Sequence, residues 1–102
     1  MPKFFVYILQ SEKFGNYYVG HTDNVEKRVK EHNSIDNKSY TSRYQPWILK
    51  RSFFVGNDRG VAMRIERFIK KQKSRKFIEK VIEDPYQIDF IVQLVRVPRP
   101  RD

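Results

Sequence analysis

Phe4 to Leu9 is an unbroken apolar run, aromatic or β-branched before Leu9, set between Lys3 and Gln10. A strand with one wet face alternates polar and apolar residues; this segment does not, so it reads as a central strand covered on both faces. Ser11 to Asn16, with Gly15-Asn16, reads as a turn, and Tyr17 to His21 as the partner strand of a hairpin. Trp47 to Val55 is a third strand, in which Lys50-Arg51-Ser52 interrupts the apolar residues and marks a bulge or bend.

Helices fill the intervals. Asp23-Asn24-Val25-Glu26 has the form of a helix start, with Asp23 as N-cap and Glu26 three residues on, and the helix runs to about His32. Val25 and Val29 then point to the core, with Arg28 and His32 beside them. Asn33 to Gln45 is polar around Ile35, Tyr40 and Tyr44 and reads as a long surface loop closed by Pro46. Asn57-Asp58 caps a second helix whose apolar members Val61, Ile65, Phe68 and Ile69 recur at helical spacing. Ser74 caps a third, carrying Phe77, Ile78, Val81 and Ile82, and Asp84-Pro85 stops it. Tyr86 to Val97 fits an edge strand or self-association segment, with a short helix as the alternative. Residues 98–102 read as a flexible tail. The expected organisation is one domain over 1–97.

Charge narrows the partners. The 102 residues carry a formal +9 with a pI near 9.9, so the folded surface attracts polyanions, nucleic acid first. An anionic membrane would want a basic helix with a free apolar face, and the apolar faces here are needed for the core, so no membrane partner is expected. With no cysteine, disulfides, thiolate nucleophiles and cysteine zinc sites are excluded, and His21 and His32 alone do not make a zinc site. The first apolar run is shorter than a signal-peptide core, which makes a cytoplasmic location the expectation.

The chemistry gathers in the first third. Two strands each deliver a tyrosine, Tyr7 and Tyr18, a glycine, Gly20, ends the second, and Arg28 and His32 follow four residues apart on one helix face. A phenol pair, a guanidinium and an imidazole thereby converge. In order and spacing the chain resembles the GIY-YIG nuclease family, with Phe5-Val6-Tyr7 at the first triplet and Tyr18-Val19-Gly20 at the second. The resemblance covers about the first four fifths of the chain. It implies an α+β fold, a small three-stranded antiparallel sheet flanked by helices, similar to the catalytic domain of the bacterial excision-repair incision subunit. It also implies a DNA endonuclease of repair or recombination that uses one divalent ion, Mg²⁺ or Mn²⁺, with Glu66 as the metal ligand. The chain departs from the pattern at Phe5, where the family has glycine, and at Val6 and Val19, where it has isoleucine. The asparagine many relatives carry beyond the metal glutamate has no counterpart after Asn57.

Hydrolysis of a phosphodiester needs a placed water, a base for its proton and cations on the phosphate. The resemblance makes Tyr7 the base and Tyr18 the residue that positions water or phosphate; an unperturbed phenol, with a pKa near ~10, needs a neighbouring cation for this. Arg28 matches a phosphate with two hydrogen bonds, or is an ordinary solvated helix arginine. His32 bonds a phosphate oxygen or orients a tyrosine, or merely ends its helix. His21 is a weaker candidate for phosphate contact. Glu66 ligates metal, or pairs with Lys70 four residues on. Arg64, Arg67, Lys70, Lys71, Lys73, Arg75, Lys76 and Lys80 make a basic surface that would hold DNA phosphates without reading sequence. A protein partner supplying specificity is expected, and the oligomeric state is open. Two rival readings stand: a nucleic-acid-binding module of the same fold without turnover, and an RNA-binding sheet with stacking aromatics, whose signature motif is absent.

Overall fold

A computed structural model describes residues 2–84 and 86–96; the tail expected over 98–102 lies outside them. Three strands form one antiparallel sheet: β1 (Phe4–Ser11), β2 (Tyr17–Thr22) and β3 (Trp47–Gly56), in the order β2-β1-β3. Four helices flank it, α1 (Val25–His32), α2 (Arg59–Lys71), α3 (Arg75–Glu83) and α4 (Tyr86–Arg96), with a 3₁₀ turn at Tyr40–Tyr44. The fold is the α+β arrangement the sequence predicts.

β1 is central and its two faces are buried against different partners. Phe4, Val6 and Ile8 join Val19, Phe53, Val55 and the α2 residues Val61, Ala62, Ile65 and Ile69 in the main core. Tyr7 and Leu9 face the other way and pack with Trp47, against the half-buried Tyr18, Val25, Val29 and Tyr44. Complete burial of the run explains why it lacks alternation: Val6, Ile8 and Leu9 are each 0% exposed.

The polar break in β3 is a bulge. Ile8 pairs with Arg51 and Leu9 with Leu49, so Lys50 has no partner. The extra residue changes the parity of the strand. Trp47 and Phe53, both odd-numbered, thereby reach opposite faces of the sheet, one in each cluster.

Asp58 and Ser74 cap α2 and α3 as expected, accepting from Gly60 N (2.8 Å) and Phe77 N (3.1 Å). Two expectations need correction. The cap of α1 is Asn24, not Asp23: its extended backbone lets Oδ1 accept from Lys27 N at 3.1 Å, while Glu26 pairs with Lys30. Residues 86–96 are the helix α4, not an edge strand. Ile88, Ile91, Val92 and Val95 recur at spacings of three and four, and packing that stripe on α2 and α3 outweighs the β preference of its branched side chains. Asp84 Oδ1 accepts from Tyr86 N (3.0 Å) at its start.

Candidate active site

Tyr7 stands opposite Gly20 in the β1–β2 register, and Leu9 opposite Tyr18, so both tyrosines share the α1 face with ring centroids 6.3 Å apart. Gly20 lies inside β2, which continues to Thr22, and it makes room for the phenol. A Cβ there would sit 2.5 Å from the Tyr7 oxygen. The glycine is thus demanded by a close approach and not by a turn.

Tyr7 is 1% exposed and its hydroxyl meets His32 Nε2 at 2.9 Å. The surrounding hydrogen bonds fix which group donates. Asn37 is fully engaged: Nδ2 donates to His32 O (3.0 Å) and Thr41 Oγ1 (2.9 Å), and Oδ1 accepts from Ser39 N (2.8 Å) and Ser39 Oγ (2.6 Å). With its proton committed to Asn37, Ser39 Oγ accepts from the Thr41 hydroxyl at 3.0 Å. Thr41 Oγ1 then accepts from His32 Nδ1–H (3.0 Å), which leaves Nε2 bare to accept the Tyr7 proton. Further bonds anchor this loop: Asn33 exchanges two with the Trp47 backbone, Gln45 Nε2 donates to His32 O and Ser34 O, and Trp47 Nε1 to Thr41 O.

The electrostatics agree with that assignment. Burial, and then the charge of Arg28, lower the His32 pKa to about 4, so the ring is neutral at physiological pH. Burial raises the Tyr7 phenol far above its ordinary value, Tyr18 and Glu66 add to the rise, and Arg28 opposes it. Arg28 itself is half-buried; burial works against its charge, but the Tyr7 hydroxyl and Glu31, 3.5 Å away, outweigh that and raise it. Tyr18 lies edge-on to His32 at 4.8 Å.

His21 and Glu66 sit on the opposite face. His21 pairs with Val6, on the side of β1 that meets α2, and its Nδ1 lies 2.7 Å from Glu66 Oε1. Glu66 Oε2 takes the Lys70 ammonium at 2.8 Å, and Lys70 Nζ also lies 5.3 Å from the Tyr18 ring centre, linking the faces around the β2 edge. Glu66 thus has the helical partner Lys70, and it is Lys70 that reaches the Tyr18 ring. Among the described residues there is no group of three His, Asp or Glu able to hold a metal.

The basic residues divide. Lys70 turns to the site. Arg64, Arg67 and Lys71 line a cavity of about 900 Å³ with Phe68, Leu94 and Val95, between α2 and α4. Arg75 lies over the Tyr17 ring, donates to Gly15 O at 2.8 Å and pairs with Glu79, stitching α3 to the hairpin. Lys73, at φ 50°, and Lys76 are exposed beyond α2. Sequence reasoning missed Thr41, Asn37 and Ser39; their one signal is an alternating run of small polar residues in a loop that offers many.

A family model described as the GIY-YIG catalytic domain matches residues 3–80. The chain belongs to the GIY-YIG catalytic domain family. It is 38% identical to a UPF0213 protein of Bacillus cereus over 71% of this chain and 75% of the relative. It is 35% identical to a UPF0213 protein of Staphylococcus haemolyticus over 78% and 99%, and 36% identical to one of Halobacterium salinarum over 65% and 83%. No solved structure gives a significant match. Tyr7, Tyr18, Arg28, His32 and Glu66 all fall inside the matched span, and α4 falls beyond it. The departures from the GIY-YIG triplets are packing positions: Val6 and Val19 are core, and Phe5 lies 5.7 Å from the Phe54 ring. No helix among the described residues is long and apolar enough to cross a membrane.

Proposed function

We propose that this chain is a DNA endonuclease of low sequence specificity that hydrolyses phosphodiesters with one divalent metal ion, in repair or recombination. The observation that carries the reading is the 2.9 Å bond from the Tyr7 hydroxyl to a His32 Nε2 held free of its own proton. Tyr7 takes a proton from the attacking water as its own passes to Nε2. The water oxygen bonds to phosphorus, the bond to the departing sugar oxygen breaks, and that oxygen takes a proton from solvent. A phosphate beside Arg28 cancels part of the charge that holds the His32 pKa down, so Nε2 becomes more basic as substrate arrives. Arg28 also meets the charge that builds on phosphorus.

Glu66 suits a metal ligand. Each of its oxygens has one partner and keeps a free lone pair, and Mg²⁺ is commonly held by one or two carboxylates with waters and substrate phosphate. Glu66 would hold the ion, oriented by His21; a divalent ion there supplies Lewis-acid neutralisation of phosphate charge. One observation favours the second reading, a binding module without turnover: Lys70 already neutralises Glu66.

Cleavage of supercoiled plasmid and end-labelled branched DNA with Mg²⁺ or Mn²⁺, by wild type, Glu66→Ala and Tyr7→Phe, tests this. Metal-dependent cutting lost in both variants supports the endonuclease. Equal DNA binding by all three with no cutting sinks it in favour of the module. The basic surface predicts affinity that falls steeply with salt.

A further inference from the structure

A line of rings leads from the tyrosine site to the surface. Tyr18 lies 6.1 Å from Trp47, Trp47 lies 6.1 Å from Tyr44, and Tyr44 touches two further rings, Tyr40 at 5.1 Å and Phe14 at 5.6 Å. The inner members are covered, but the last two are not: Phe14 is 59% exposed and Tyr40 64%. They come from separate segments, the β1–β2 turn and the 3₁₀ turn, which the tertiary fold brings to one Tyr44.

Neither ring belongs to a core cluster, and two exposed rings that meet on one Tyr44 offer a contact surface. The local charge says which ligand. From Asn37 to Gln45, the segment that carries Tyr40 and Tyr44, there is no Asp or Glu, while Lys38 and Arg43 are present. Lys13 Nζ lies 5.5 Å from the Phe14 ring centre, beside the surface a base would use. Flat rings set among cations suit a nucleotide strand whose bases are free to stack and whose phosphates need neutralising. A paired duplex keeps its bases stacked on one another and offers no face to either ring.

We propose that Phe14 and Tyr40, backed by Tyr44, form a stacking platform for unpaired bases of the DNA strand entering the active site. The substrate class is then DNA with a single-stranded segment beside the scissile phosphate, such as a flap, gap or branch, and not intact duplex. This rests on the nucleic-acid reading of the site given above.

The test is fluorescence anisotropy without divalent metal, comparing a labelled single strand with a blunt duplex of the same sequence. Wild type binds the single strand more tightly. The Phe14→Leu/Tyr40→Leu double variant loses at least about fivefold per ring on the single strand, leaves duplex affinity unchanged and keeps the salt slope, because stacking releases no counterions. The Phe14→Trp/Tyr40→Trp variant retains single-strand affinity, which separates loss of a ring face from loss of fold. Equal weakening on both DNAs, or no weakening, overturns the platform while leaving the endonuclease reading standing. A wild type that binds neither DNA overturns both.

Discussion

On the α1 face of the sheet, Tyr7, His32 and Thr41 are buried, neutral at physiological pH and locked in one hydrogen-bond pattern. On the α2 face, Glu66 meets His21 through a hydrogen bond and Lys70 through an ion pair, with 16%, 19% and 46% of the three side chains exposed. A proton passed between two atoms needs fixed partners in a dry place, because bulk water competes for the lone pair of a misplaced or hydrated acceptor. A carboxylate that is to hold an ion needs partners it can exchange, and a half-exposed ammonium is one. The division assigns fixed chemistry to one side of β1 and exchangeable charge to the other.

The largest effect that would break this comparison is on the dry side. On the proposed mechanism Tyr7→Phe lowers the cleavage rate by about 10²–10⁴-fold, read by single-turnover kinetics, because it removes the proposed base and leaves shape nearly intact. A loss smaller than tenfold moves the base elsewhere, Tyr18 being the next candidate.

Next comes the pH dependence of folding. The His32 pKa is about 4, below the ordinary value of 6.5, so between those values the unfolded chain binds more protons and stability rises with pH. Acidification from about pH 7 to about pH 4.5 therefore removes roughly 2–3 kcal/mol through this residue, measurable by urea unfolding. His32→Gln flattens that part of the profile. An unchanged slope would mean that His32 is hydrated.

Gly20→Ala is the third. Its Cβ meets the Tyr7 oxygen at 2.5 Å, and overpacking of this kind costs about 1–3 kcal/mol, seen as a lower denaturant midpoint. Combined with Tyr7→Phe, most of the cost remains, since the ring carbons Cζ, 2.6 Å from that Cβ, and Cε1, 3.0 Å from it, still collide. Smallest is Lys70→Ala, which changes stability by less than about 0.5 kcal/mol, as for other half-exposed helix pairs. It tightens Mn²⁺ binding in a titration by freeing Glu66; weaker Mn²⁺ binding would make Lys70 a support and not a competitor.

The sheet, its central strand and the helix starts were legible because each is written in local chemistry: the unbroken Phe4–Leu9 run, the Gly15-Asn16 turn, Asp58 and Ser74 ahead of amphipathic segments. The five family positions were legible as an ordered motif, and the fold brings Tyr7, Arg28 and His32 together. What stayed hidden depends on distant partners. Branched residues 88–95 favour a strand until α2 and α3 offer them a surface, and Thr41 is one polar loop residue among many until His32 lies beside it. Asp23 and Asn24 are equally good caps on paper; backbone position alone selects Asn24.

The bulge at Lys50 has a consequence for crowding. β3 forms an outer edge of the sheet, ten residues long, with Ile48, Leu49 and Phe54 exposed along it. A polyanion gathers copies of a +9 chain side by side at high local concentration. A straight, apolar edge would then join neighbouring molecules strand to strand. The bulge at Lys50, with Arg51 next to it, interrupts the regular edge and sets two cations there, so that crowding along a polyanion is kept from becoming strand-to-strand aggregation.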